Sequence, residues 1–247
     1  MTEERKILQI NAELSIEVVR KNIKNMHLTV HPPNGRVHIS APLKINDEAV
    51  RLFAISKIGW IRKHQRNFVE QDRRPPEQYK ERESHYFQGR RYLLRIIEHE
   101  APPKVVLKAK TYIELYVKPN STKEERQAII NWWYRIELTK LIPPIIDKWE
   151  KQLGVTVLDW RIKKMKTKWG TCNVPQKRIW LNLELAKKPL HCLEYVVIHE
   201  MIHLLERHHN DRFYKFMEHY LPQWKFYKDE LNRLPISYED SQESYKY

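Results

Sequence analysis

The stretch "VVIHEMIHLLERHHND", from Val196 to Asp211, decides how this 247-residue chain is interpreted. It places His199, Glu200 and His203 in an H-E-x-x-H pattern within an apolar run. On a helix, positions i and i+4 lie on one face about one turn apart, so both imidazoles can reach one zinc ion. Glu200 sits beside the first histidine, where it can take a proton from water that the metal activates. The pattern predicts a buried helix, one Zn²⁺ per chain and Glu200 as general base.

The third zinc ligand is not fixed by this spacing. A catalytic zinc site needs three protein ligands and one open position. Glu206 lies on nearly the same helical face as His199, whereas His208 and His209 lie where a turn can return a side chain to the metal. His209 reaches it only if the helix ends or unwinds near Arg207. All three residues remain candidates for the third zinc ligand. In the alternative without a metal, the histidines cap a helix and Glu200 is a buried acid whose hydrogen bonds are satisfied.

The composition of the chain limits the classes of partner that it can bind and the cellular location that we expect. The 45 Lys+Arg against 31 Asp+Glu give a net charge of +14 and a pI near 9.6. Such a surface attracts polyanions, so nucleic acid is a candidate partner, although a basic surface with no specific partner explains the charge equally. No apolar run approaches the length of a membrane span, and the N-terminus lacks a signal-peptide hydrophobic region. With only Cys172 and Cys192 there is no disulfide framework, so we expect a cytoplasmic protein without a membrane partner.

The first part of the chain is predicted to be rich in β-hairpins. "MHLTV" (26–30) and "RVHIS" (36–40) alternate apolar and polar residues around the turn "HPPNG", and residues 7–19 can supply an earlier hairpin. A helix is expected from the N-cap Asn46 to about residue 70, followed by a linker, "DRRPPEQ". A second β segment occupies residues 86–117.

The remainder is predicted to be mainly helical. Thr122 and Glu125 form a capping box for a helix that Pro143-Pro144 must kink or break and that Gly154 ends. Two or three short strands with the turn "NVPQK" follow, and Pro189 suits the first position of the H-E-x-x-H helix. A helix from residue 210 or 211 ends at Pro222, and a last short helix reaches residue 234. The predicted domains are residues 1–75, 76–120 and 121–235, with a flexible tail at 236–247.

Substrate contacts are expected beside this helix. "RIWLNLEL" (178–185) is a candidate edge strand for pairing with an extended peptide, with Trp180 and Asn182 as substrate-binding residues. Asn182 can equally satisfy backbone groups. In "RIKKMKTK" (161–168), strand alternation would place Lys164, Lys166 and Lys168 on one face, as a polyanion track or a solvated surface. Lys168 is also a candidate substrate-binding residue.

Several of these motifs together resemble the YgjP-like metallopeptidases, relatives of the SprT-like and Wss-type zinc proteases. The resemblance rests on "KTKWGTC" (166–172), "RIWLN" (178–182), "KKPLHCLEYVVIHEMIH" (187–203) and "HHNDRFYKFM" (208–217). The family shows a basic residue before W-G-S-C, a strand ending in L-N, and a third histidine six positions after the second. Here Thr171 replaces the usual serine, and an aspartate and an arginine follow His209-Asn210.

The resemblance implies an α+β fold in which the N-terminal hairpins precede a zincin-like metallopeptidase domain with a small antiparallel sheet. It implies His199, His203 and His209 as zinc ligands, Glu200 as general base, and a peptide or protein as substrate. His208, Tyr214 and Lys168 are candidates for the second donor to the oxyanion. The rival functions are a nucleic-acid-associated protease and a non-catalytic, zinc-stabilised basic binding protein. The oligomeric state is not predicted.

Overall fold

The computed structural model describes residues 5–31, 35–70, 77–165, 168–233 and 245–246. It divides the chain into two compact units, one of Met1–Pro76 with Pro235–Tyr247 and one of Glu77–Leu234. Within the described ranges, no helix is both long enough and apolar enough to cross a membrane. The predicted linker lies largely outside the described residues.

The first unit is built on a five-stranded sheet, and both predicted hairpins are confirmed. The first two strands pair as one antiparallel hairpin and the next two as another, and the second and fourth strands join the hairpins in parallel. Apart from residues 245–246, which form a short edge strand, the predicted tail lies outside the described residues. The strand order is β1-β2-β4-β3-β12, for strands β1 (Arg5–Gln9), β2 (Ser15–Lys21), β3 (His27–His31), β4 (Arg36–Pro42) and β12 (Tyr245–Lys246).

Two helices cover one face of this sheet, where a single helix was predicted. α1 (Asp47–Ser56) begins at Asn46, whose side chain accepts the Ala49 amide at 2.9 Å, as its N-cap role predicts. The helix ends at Lys57, whose amide bonds the Ala54 carbonyl at 3.1 Å and closes a tighter turn before α2 (Ile58–Glu70). The core between helices and sheet includes Leu28, Val30, Ile39, Val50 and Ile61, each fully buried.

The second unit begins with a four-stranded sheet. The predicted β segment folds into two hairpins that together form this sheet. Its order is β5-β6-β8-β7, for β5 (Ser84–Phe87), β6 (Arg90–Glu98), β7 (Lys104–Lys108) and β8 (Tyr112–Val117). Its apolar residues, such as Leu94 and Leu115, belong to the same core as the helices that follow. The predicted boundary at residue 120 therefore separates two parts of one core.

A 31-residue helix, α3 (Lys123–Leu153), crosses this unit. The capping box is confirmed, because the Thr122 hydroxyl accepts the Glu125 amide at 3.2 Å and the Glu125 carboxylate accepts the Thr122 amide at 2.8 Å. Of the predicted kink or break at Pro143-Pro144, the break does not occur, because α3 continues through both prolines. Buried side chains on both sides of the prolines, Ile142 and Ile146, hold the two halves in one core. Gly154 ends the helix at φ 66°, as predicted.

A small three-stranded sheet follows, and it is mixed rather than antiparallel. β11 (Arg178–Asn182) pairs antiparallel with β10 (Gly170–Asn173) and parallel with β9 (Asp159–Lys163). The prediction of "RIWLNLEL" as an edge strand is wrong, since β11 is central and residues Leu183–Lys187 form a 3-10 helix. The strand that the predicted lysine face requires is not present at Lys164 or Lys168, because β9 ends at Lys163, and residue 166 lies outside the described ranges.

Three helices complete the second unit: α4 (Leu190–Ile202), α5 (Asp211–Tyr220) and α6 (Trp224–Arg233). Pro189 is the N-cap of α4 rather than its first residue, and Asn210 caps α5 by accepting the Phe213 amide at 3.0 Å. With small sheets and helices in both units, the architecture is a mixed α and β fold, consistent with the predicted α+β class.

Candidate metal centre

The helix α4 is a buried element that ends at the site. Nine of its 13 residues are buried, among them Val197, Ile198 and Ile202. It ends earlier than the predicted Arg207, because the amides of Leu205 and Glu206 both bond the Ile202 carbonyl at 2.9 Å in a tight turn. This turn directs the chain back toward the helix, which a longer straight helix would not do.

The structure brings His199, His203 and His209 together. Their ligand nitrogens all lie within 4.8 Å of one another, and the Nε2 atoms of His199 and His209 are 2.9 Å apart. Neither His208 nor Glu206 belongs to this group among the described residues. The Glu206 carboxylate instead accepts the His208 amide at 3.2 Å. Of the three candidates for the third ligand, His209 is the one placed beside the H-E-x-x-H pair.

Electrostatics keep these imidazoles neutral. Burial, reinforced by the two neighbouring histidines, lowers the pKa of His199 to about 3. Burial likewise lowers the pKa of His203 and of His209. The His203 Nδ1 lies 3.1 Å from the Glu206 carbonyl, to which it can only donate, so its Nε2 carries the lone pair. Three neutral nitrogen donors that face one another fit a zinc ion with one position left open.

Phe213 supports all three histidines, a role that the sequence did not reveal. Its ring is fully buried, and its centroid lies 5.0 Å from His199, 4.9 Å from His203 and 4.7 Å from His209. The helical spacing assigns Phe213 to the apolar face of α5 but does not say what that face covers. Because the ring contacts each imidazole, it limits their rotation about the common centre.

Glu200 is nearly inaccessible, with 5% of its surface exposed. Burial raises its pKa to about 8, with Lys168 opposing the shift. Its neighbour on strand β10 is Gly170, where an added Cβ would lie 2.7 Å from Glu200 Cγ and Oε1. Burial raises the pKa of the nearby Cys172 thiol to about 12, and the Glu200 carboxylate adds to the shift. The cysteine is a site residue that the sequence analysis did not assign.

A cleft of about 860 Å³ opens beside the histidines and contains some of the predicted substrate-binding residues. Lys168 and Trp180 line it, as do the edge strand β10 and Arg207. Of the other two candidate oxyanion donors, Tyr214 stacks on His209 at 6.5 Å between ring centroids and His208 is exposed, and neither is among the described residues that line the cleft.

Asn182 is buried and bonded to the protein's own backbone. Its amide nitrogen donates to the carbonyls of Met165 and Lys168 at 2.8 and 2.9 Å, and its oxygen accepts the Met165 and Glu184 amides. With both polar atoms occupied, the side chain links the backbone at Met165 to the backbone at Lys168. Of its two predicted roles, these contacts correspond to the backbone one.

Comparison with known protein families gives a match over most of the chain. A family described as "YgjP-like, metallopeptidase domain" matches residues 24–234, which include every residue of the histidine cluster, Glu200 and the cleft. A search of curated proteins finds no match to the chain.

Proposed function

The chain belongs to the YgjP-like metallopeptidase family, and from that premise we propose that it is a zinc-dependent endopeptidase. His199, His203 and His209 are the proposed ligands of one zinc ion, and Glu200 is the proposed general base. The observation that supports this most strongly is the convergence of three neutral imidazoles next to a buried carboxylate. Catalytic zinc sites use three protein ligands and a nearby carboxylate in this way.

Bound zinc supplies Lewis-acid chemistry, polarising the scissile carbonyl and lowering the pKa of water to about 7. The carboxylate of Glu200 takes the proton from the attacking water and then delivers it to the nitrogen of the leaving amine. A pKa raised by burial suits a group that must both accept and donate a proton near neutral pH. Gly170 leaves the space in which that carboxylate lies.

The proposed position of the substrate is along the free edge of β10. Among the described residues β10 pairs only with β11, so its other edge can accept an extended peptide by strand addition. Residues 170–173 also line the cleft that contains Glu200. A peptide paired there would pass close to the histidine cluster. Lys168 and Tyr214 remain the candidates for the second donor to the oxyanion.

The direct test substitutes Glu200→Gln and compares zinc content with hydrolysis of a panel of unstructured peptides. We expect zinc to be retained and kcat to fall by about 10²- to 10⁴-fold, because the shape is kept and the base is lost. Glu206→Gln is the matched control, since this carboxylate lies outside the histidine group, and it should keep both properties. Full hydrolysis by Glu200→Gln would reject the proposal.

The rival functions make different predictions. A nucleic-acid-associated protease should bind DNA in a strongly salt-dependent manner and hydrolyse protein faster when DNA is present. A non-catalytic zinc protein should keep all biological activity in Glu200→Gln. A cytoplasmic location also stays a prediction.

A further inference from the structure

The cleft has an unusual balance of charge at its mouth. Lys168 and Arg207 line it and are exposed, and Glu200 is the one carboxylate among the described lining residues. The side chains of Lys168 and Arg207 form no hydrogen bond or ion pair with other described residues. Lys168 acts only at a distance, through its electrostatic effect on Glu200. Glu200 itself is buried, so an entering ligand meets the two cations first.

Neighbouring groups strengthen this positive field. Lys228, on α6, contributes to the lowered pKa of both His199 and His209 and therefore acts on the same centre. The nearby Glu206 carboxylate accepts the His208 amide and lies 3.8 Å from Arg212, which partly neutralises it. A bound metal would add further positive charge. Charge of one sign in a concave site with apolar walls attracts ligands of the opposite sign.

The walls of the cleft suit a peptide rather than a small free anion. Trp169 and Trp180 are half-buried lining residues, and each carries a cation over its ring. Lys188 lies 5.3 Å from the Trp169 centroid, and Arg161 lies 5.5 Å from that of Trp180. Aromatic surfaces of this kind contact the backbone and aliphatic groups of a peptide. The exposed cations, Lys168 and Arg207, remain available for a negatively charged group of that peptide.

We propose that the cleft selects peptide substrates that carry a carboxylate near the scissile bond, bound by Lys168 and Arg207. This specificity rests on the proposed peptidase function and adds the substrate class to it. The carboxylate can come from an aspartate or glutamate side chain or from the C-terminus of the substrate, since both present the same group. If Lys168 binds substrate in this way, Tyr214 is left as the candidate oxyanion donor.

The test measures binding to the zinc-loaded, full-length Glu200→Gln protein, which retains the cleft and cannot turn substrate over. Four peptides differ only in charge: a capped and amidated peptide with a central Glu, Gln or Lys, and the Gln peptide with a free C-terminal carboxylate. We expect a carboxylate to tighten binding about 5- to 20-fold over the amidated Gln peptide, as two partly exposed ion pairs allow. The gain should shrink as ionic strength rises from about 0.01 M to about 0.15 M.

When Lys168→Glu and Arg207→Glu are introduced into the Glu200→Gln protein, carboxylate peptides should lose their gain in affinity and the Lys peptide should bind more tightly. Lys118→Glu is the matched control, because Lys118 is exposed in the same unit and does not line the cleft, so the gain should persist. A gain for the Glu peptide identifies the side-chain source, and a gain only for the free terminus identifies the C-terminal source. Equal binding of all four peptides, or binding of none, overturns the proposal.

Hydrolysis by the unsubstituted protein separates this inference from the function on which it rests. If the unsubstituted protein cleaves carboxylate-bearing and neutral peptides at equal rates, the peptidase function stands and the proposed preference for carboxylates fails. If it cleaves none while carboxylate peptides still bind preferentially, the specificity stands and the catalytic assignment fails.

Discussion

Two groups of metal-type side chains lie on the same helix and have different chemistry. At the C-terminal end of α4, His199 and His203 meet His209. In its first turn, His191 and Cys192 meet Glu230 of α6, and these donor atoms also lie within 4.8 Å of one another. Proximity of donors therefore does not distinguish the groups.

The difference is the availability of lone pairs. In the second group, the His191 Nε2 is hydrogen-bonded to the Glu230 carboxylate. Burial raises the pKa of the Cys192 thiol to about 12, and Glu230 adds to that shift, so the thiol is protonated near neutral pH in the metal-free protein. In the first group, three imidazoles are held neutral with their nitrogens facing inward. The closed group is a hydrogen-bonded histidine–glutamate pair with a buried thiol, and the other group is open to a cation.

The largest expected effect concerns the carboxylate beside the open group. In the metal-free protein, burial raises the Glu200 pKa from 4.5 to about 8. A raised carboxyl pKa means that the folded state holds the proton more tightly, so this stabilisation is complete below pH 4.5 and is lost as pH rises through 8. Relative to Glu200→Gln, the metal-free wild type should lose several kcal/mol across this window, with about 5 kcal/mol as the upper bound.

Urea unfolding of both metal-free proteins at a series of pH values measures this difference. The histidine contributions are common to the two proteins and cancel. Parallel stability curves would mean that Glu200 is not buried as described.

A smaller effect is expected where strand β10 touches the base. Gly170→Ala should leave zinc content unchanged but lower kcat about 100-fold, because the new methyl displaces the Glu200 carboxylate by a fraction of an ångström or more. Gly59→Ala is the matched control. Nothing lies within 4 Å of a Cβ at that position in α2, so activity should not change. Equal activity of the two variants would show that Glu200 accommodates the methyl group without cost.

The smallest effect is expected at the closed group. His191→Ala removes the contact between His191 and Glu230, whose side chains are 39% and 30% exposed, and such a partly exposed contact contributes at most about 1 kcal/mol to the free energy of unfolding. Zinc content and hydrolysis should be unchanged. A loss of zinc on this substitution would show that the two groups on α4 are not chemically distinct.

The sequence predicted those parts of the fold that depend on local chemistry. Asn46, the Thr122 capping box and Gly154 mark helix ends through contacts within a few residues, and the structure confirms each of them. The short strands and the family membership were also predicted correctly. The H-E-x-x-H spacing belongs to this class, since it depends only on the geometry of one helix.

Features that depend on tertiary packing could not be predicted from contacts between residues that are close in sequence. The continuity of α3 through Pro143-Pro144 is set by core contacts on both sides of the prolines. Which strand lies at the edge of the small sheet depends on the parallel pairing of β9 with β11, which no local pattern encodes. The contact of Gly170 with Glu200 likewise joins two elements that are 30 positions apart in sequence.

The central claim is that three histidines, and no side chain of the closed group, hold one catalytic zinc. Elemental analysis of zinc per chain in the wild type, His209→Ala and His191→Ala tests it most directly. We expect about one zinc per chain in the wild type and in His191→Ala, and a marked loss in His209→Ala. Full zinc in His209→Ala would contradict it and move the third ligand to Glu206 or His208.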